Sequence, residues 1–200
     1  MMDKLNQVGY NDGKLMFSDV LPSGSKSHQE VPYMFKPYAI KEAYNLGYRH
    51  ILWMDAPVYP EKSVNTLFDI IERDGYLIFK NGWTNGHWTS DRALEYLGIS
   101  REDAFNQPHA MACVMGFDLS REDVMAVFTK WMNASEHAYP GEWKNTGICS
   151  SDSRVLGHRH DQSIISTYAY QAGWNFMPTD ENKLITYGNE SDYILYSRPV

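Results

Sequence analysis

The densest concentration of chemistry in the chain is the run Gly157-His158-Arg159-His160-Asp161-Gln162-Ser163. Two imidazoles, a guanidinium, a carboxylate and an amide at the amino end of a helix can bind an anion, hold a metal or move a proton. The competing structural reading has Asp161 capping the helix while the histidines pack against aromatic rings. A second carboxylate, Asp55, ends the apolar run Ile51, Leu52, Trp53, Met54 and is followed by Pro57 and Pro60. Such a run reads as a strand buried on both faces. Asp55 then stands at its carboxyl end, where open α/β sheets gather their ligands, as either a functional group or a cap for the next helix. Lys36, fixed between Phe35 and Pro37, is a candidate anion ligand. Trp83, Trp88 and Trp143 fall in irregular segments, where indoles either stack on sugar rings or pack inward.

The elements that must position these groups follow from periodicity and breakers. Residues 3–9 read as a helix tail ended by Gly9, and 14–19 (KLMFSD) as a first strand. Pro37 opens a helix that continues through Ala39 and Leu46 to Gly47, feeding the strand that ends at Asp55. Val64, Leu67, Phe68 and Ile71 have helical spacing within 61–74, with Pro60 at the first helical position. Strands are expected over 76–80, 110–118, in WNFMP and in YILYS, with a loop over 81–88. A short helix spans Asp91 to Leu97. The tetrapeptide SRED occurs at 100–103 and 120–123, each time as a capping box opening a helix. After the second, Val124, Val127, Phe128 and Trp131 mark one helix face. Residues 133–157 have the length and composition of a lid or binding loop. A last helix opens near Asp161 and ends at Gly173. This alternation predicts a three-layer α/β/α domain with a mostly parallel central sheet.

Composition narrows the function. Two hundred residues, 43% hydrophobic and 22% charged, suit one soluble domain with a substantial core. A net charge of −7 argues against a broad grip on nucleic acid. Only Cys113 and Cys149 are present, with neither zinc spacing nor the density of a secreted scaffold. No signal peptide or membrane span is read, so a cytoplasmic protein is expected. Dinucleotide oxidoreduction, P-loop phosphoryl transfer and serine hydrolysis lack their motifs. A metal-dependent hydrolase built from His158, His160 and Asp161 would need further ligands converging in space.

Taken in order, FKPYAIKEA, ILWMDAPVYP and HRHDQS resemble glycosyltransferases of the GT-A type, over roughly residues 30–175. The resemblance implies a Rossmann-like GT-A domain over 1–200, with a nucleotide-sugar half to about residue 80 and an acceptor half from about 81. It implies transfer of a sugar from a nucleotide-sugar donor to a hydroxyl of a glycan or other acceptor. Asp161 and Asp55 would be catalytic. Lys36, Tyr38, Trp83, Trp88, Arg159, His160 and Gln162 would bind substrate. The family's Asp-x-Asp, which holds Mn²⁺ or Mg²⁺ on the donor diphosphate, is here Asp55-Ala56-Pro57 and lacks its second carboxylate. Either His158 helps Asp55 to hold the ion, or transfer is metal-independent with Lys36 and Arg159 offsetting the diphosphate charge. By the same resemblance, the opening β-α unit of the family is expected to be lacking ahead of KLMFSD. That departure leaves room for a homo-oligomer or partner chain, and for the alternative of a non-catalytic carbohydrate- or nucleotide-binding GT-A-derived domain that needs a partner chain.

Overall fold

The computed structural model describes residues 6–9, 18–186 and 192–197. In chain order the elements are α1 (Phe35–Asn45), β1 (His50–Met54), β2 (Val58–Pro60), α2 (Asn65–Asp74), β3 (Tyr76–Thr84) and a 3₁₀ turn (Asn85–Trp88). There follow α3 (Asp91–Leu97), α4 (Arg101–Phe105), β4 (Pro108–Asp118), α5 (Glu122–Asn133) and α6 (Ser135–Ala138). After a long connection come α7 (His160–Gln171), a second 3₁₀ turn (Glu181–Lys183), β5 (Ile185–Thr186) and β6 (Leu195–Ser197). Most of the strand expected over 14–19 lies outside the described residues. Among those residues no helix is long and apolar enough to cross a membrane.

The chain is a mixed α/β fold, but its strand directions differ from expectation. β1 and β3 each pair antiparallel with β4, in the order β1-β4-β3, so the central ladder is antiparallel rather than mostly parallel. The two outer strands share a direction, and β4 enters between them from the other end. Apolar periodicity reports that a segment is a strand, not which way it runs against its neighbour. A second sheet, β2-β6-β5, pairs β2 with β6 antiparallel and β5 with β6 in parallel. WNFMP contributes only an isolated bridge, Phe79 to Met177.

Side chains alternate across a strand, so the central sheet serves two apolar clusters. Ile78, Met115 and Phe117 pack with Val124, Phe128 and Trp131 of α5 and with Ile164, Ile165 and Ala169 of α7. Leu77, Phe79 and Val114 meet Leu67, Ile70 and Ile71 of α2, together with Leu184, Ile185 and Leu195. β1 is only half-buried, not buried on both faces, because it is an outer strand of the described ladder. Gly116 of β4 shows how closely α2 approaches: a Cβ there would lie 2.4 Å from Ile71 Cδ1 and 2.9 Å from Leu77 Cβ. Gly116→Ala is therefore expected to lose about 1–3 kcal/mol through overpacking, read as a lower urea midpoint at constant slope.

Local signals were met unevenly. Ser100 and Asp103 form the full capping box of α4. The second SRED does not, because the Ser120 hydroxyl donates to Asp118 Oδ1 at 2.5 Å and the cap position falls to Arg121, without a side-chain bond. Pro60 closes β2 instead of opening a helix, and α2 starts at Asn65. β3 runs on to Thr84 through residues expected to be loop. Its register with β4 shifts between Ile78 and Lys80, and again before Thr84. Bulges of this kind turn backbone groups out of the ladder and recur beside functional sites.

Candidate functional site

Three charged side chains from three distant segments meet at the first of these shifts. Lys36 projects from the first turn of α1 and is 3% exposed. Its Nζ lies 3.0 Å from Asp55 Oδ1 and 3.2 Å from Oδ2, and 3.3 Å from Asp161 Oδ2. It also donates to the Ala112 carbonyl at 3.2 Å. That carbonyl belongs to the stretch of β4 where pairing with β3 slips, which leaves it available to a side chain. Asp55 is held by strand geometry. Its N–H donates to Cys113 O at 2.8 Å, one bond beyond β1, and Trp53 Nε1–H donates to Oδ1 at 2.7 Å. Trp53 and Asp55 are two residues apart on extended chain, so their side chains share a face.

Asp161 is the second residue of α7 and does not cap it; the cap position is Arg159, which makes no side-chain bond there. Its own carbonyl accepts Trp131 Nε1–H at 2.9 Å, tying the helix start to the core. The carboxyl is 2% exposed. Oδ2 is buried, with the Lys36 ammonium at 3.3 Å as its ion-pair partner and no regular hydrogen bond among the described residues. Burial raises the Asp161 pKa to about 6, against the lowering pull of Lys36 and with a further upward push from Asp55. For Lys36, burial disfavours the ammonium, but the Asp161 and Asp55 charges outweigh it and hold the pKa above the ordinary lysine value.

These groups line a cleft of about 180 Å³ with Tyr33, Asn81, Met111, Ala112, Cys113, Trp143, Arg159 and Gln162. Arg159 is clamped between two indoles, its Cζ 3.8 Å from the Trp88 ring centre and 3.7 Å from that of Trp143. It also donates to Trp143 O at 2.5 Å. Burial lowers its pKa to about 10, so it remains cationic at neutral pH. Gln162 Nε2 donates to Ala110 O at 2.5 Å. Trp143 reaches the cleft from the long connection over 139–159. There the Asn145 amide spans the carbonyls of Ser150 (3.0 Å) and Val155 (3.2 Å), and a Cβ on Gly157 would lie 2.1 Å from Trp143 O. Tyr33, which lines the cleft, and His160, which lies behind it, have left-handed backbone, φ 60° and 47°, and their rings are 5.5 Å apart. Left-handed backbone in bulky residues is strain that surrounding structure must enforce, and it gathers at ligand sites.

A second groove of about 500 Å³ adjoins the cleft, sharing Asn81 and Met111 with it and adding Lys80, Gly82, Trp83, Pro178, Thr179 and Asp180. Trp83 is 47% exposed yet held edge-to-face by His87 and Trp88.

The structure thus brings Lys36, Asp55, Arg159, Asp161 and Gln162 to one cleft, with Trp88 beneath Arg159 and Trp83 in the next groove. Tyr38 is not among the cleft residues; it packs against the apolar cluster and the Gly24 turn. His160 stacks on Trp143 and bonds Tyr139 O at 2.8 Å through Nδ1, flanking the cleft from behind. His158 is fully buried. Its Nε2 lies 2.8 Å from Ala138 O and its Nδ1 accepts Ser90 N–H at 3.3 Å. Burial lowers its pKa to about 3, which makes it a neutral structural group. It does not join Asp55, and among the described residues no three His, Cys, Asp or Glu side chains are grouped as metal ligands. Asn81 and Tyr33 were not singled out by the sequence, and no local signal marks them. Trp53 had one, its spacing of two from Asp55.

No protein-family model, curated protein or solved structure matches this chain.

Proposed function

We propose that the chain is a glycosyltransferase-like protein that moves a sugar from a nucleotide-sugar donor to a hydroxyl of a glycan or other acceptor. The observation that carries this reading is the Asp161 carboxyl: buried, raised to about 6, and beside the cleft with one oxygen that is ion-paired to Lys36 but makes no hydrogen bond among the described residues. A carboxylate that titrates just below neutral pH is suited to take the proton of an attacking hydroxyl, or to orient the donor sugar through its hydroxyls. Arg159 at the same cleft offers a fixed cation to a diphosphate, and its indole clamp keeps it extended. The outer groove, with its held and exposed Trp83, suits an acceptor sugar ring.

A second reading, a carbohydrate- or nucleotide-binding domain without turnover, is favoured by one observation. The inner cleft of about 180 Å³ is small beside the roughly 300–1,000 Å³ of ordinary ligand pockets, so a whole donor needs the outer groove too.

Thermal shift and calorimetry against nucleoside diphosphates and their sugars separate the two. The transferase reading expects one donor to raise the melting temperature, Asp55→Ala to weaken that binding at least tenfold, and slow release of nucleoside diphosphate in water. Trp83→Ala should lower the response to acceptor sugars more than it weakens donor binding. Binding without hydrolysis under any acceptor favours the second reading, and silence from folded protein across the panel removes both.

A further inference from the structure

The resemblance that led to the transferase reading brings a divalent ion with it, and the described residues do not fit one. Around Lys36 Nζ stand four oxygens: both of Asp55, Oδ2 of Asp161 and the carbonyl of Ala112, at 3.0 to 3.3 Å. Carboxylates and a carbonyl are the donor set of a hard cation, but such an ion draws its oxygens to about 2.0–2.6 Å. The observed spacing is that of an ammonium. The nearest imidazole named as a ligand, His158, has both ring nitrogens against backbone groups.

We infer that the Lys36 ammonium is the resident cation of this site, occupying the oxygen cage in which a divalent ion would otherwise sit. The assignment of the ligand it serves, a nucleoside diphosphate, rests on the transferase reading; the cage does not. Charge counting makes the substitution complete. One divalent ion against Asp55 and Asp161 brings two positive charges; Lys36 supplies one of them to the carboxylates, and Arg159, lining the same cleft, supplies the second to the diphosphate. Because the ammonium is tethered to the first turn of α1 and 3% exposed, it is not exchanged with solvent as a bound ion is. The same cage accounts for the absence of a second carboxylate after Asp55. Asp161, more than a hundred residues later in the chain, takes that place in space, and no second oxygen pair is needed to hold an ion already fixed by its own side chain.

The test uses Mn²⁺ alone, with no nucleotide, so its result is independent of whether any sugar is transferred. Wild-type protein titrated with Mn²⁺ and followed by electron paramagnetic resonance and melting temperature should show no binding that depends on Asp55. Lys36→Ala empties the cage and should gain Mn²⁺ binding, with affinity improved at least tenfold over wild type and a Mn²⁺-dependent rise in melting temperature. Adding Asp161→Asn to Lys36→Ala should remove that gain. Mn²⁺ bound by the wild type and lost in Asp55→Ala overturns the inference, and so does a folded Lys36→Ala protein that gains no affinity. If Lys36→Ala is recovered only unfolded, with or without Mn²⁺, the wild-type titration decides: an Asp55-dependent ion sinks the inference, and its absence upholds it.

Discussion

Asp161→Asn is expected to lower turnover about 100- to 10,000-fold, the range for removal of a general acid-base group, and at the same time to stabilise the folded protein at pH 8. The two effects have one origin. Asp161 titrates near 6 in the fold because burial disfavours its charge more than Lys36 favours it. The folded state therefore binds that proton more tightly than the unfolded chain, where an aspartate titrates near 3.8. Stability from this group is fully present below 3.8 and is lost as the pH rises through about 6. At pH 8 the ionised carboxyl imposes a deficit on the order of 3 kcal/mol. Asparagine is isosteric and uncharged. It should recover about 1–3 kcal/mol, less than the whole because its amide donors face Lys36, which for a chain of this size is about 2–4 °C in melting temperature for each kcal/mol. The gain should shrink towards pH 4. Wild-type turnover, read as release of nucleoside diphosphate, should rise with pH through an apparent pKa near 6, since only the carboxylate accepts a proton. A variant that is inactive but gains no more stability over wild type at pH 8 than at pH 4 would mean that Asp161 is not a strained base.

The residues of the site were legible to different depths for physical reasons. Asp55 was readable as a strand end because an apolar run stops there at a carboxylate and prolines, whereas the parallel-sheet rule that placed a ligand at that end does not describe this antiparallel ladder. The helix start at HRHDQS was equally clear. Which of its side chains turn inward was not, because that depends on what the preceding connection packs against. His158 and His160 have the chemistry of ligands, yet each is held by a backbone carbonyl, of Ala138 and Tyr139 respectively. Tyr38 fails on geometry available in advance. It is two residues from Lys36 on one helix, about 200° around the axis, so both cannot face one cleft. The meeting of Lys36, Asp55 and Asp161 depends on long-range pairing of β4, whose direction and bulge leave no periodic trace. The resemblance supplied the order of these segments and paired Lys36 with Arg159 against a diphosphate, but it carried no contacts between them.

Lys36→Met should be among the most destabilising single changes available in this chain, at about 3–5 kcal/mol near pH 8. Methionine fills most of the volume of the lysine stem, so the loss isolates the charge. Without the ammonium, the Asp161 carboxylate stays buried with no counter-ion at 3.3 Å, Asp55 loses contacts at 3.0 and 3.2 Å, and the Ala112 carbonyl loses its 3.2 Å donor. Replacing the pair by apolar groups would be mild; removing one partner is not, because the remaining charge keeps its desolvation penalty. Two measurements separate this from lost packing. Urea unfolding of Lys36→Met at pH 5 should show a smaller deficit than at pH 8, since Asp161 takes up a proton in the variant as the pH falls. The double variant Lys36→Met with Asp161→Asn should recover more than half of the loss at pH 8, giving a coupling energy that the single variants do not add up to. A deficit independent of pH and unrelieved by Asp161→Asn would assign Lys36 to shape rather than charge. If the coupling is present, the cleft carries a buried cation whose removal the fold scarcely tolerates. Natural variation at position 36 would then be confined to sequences that also lose the carboxylate at 161 or recruit an ion in its place.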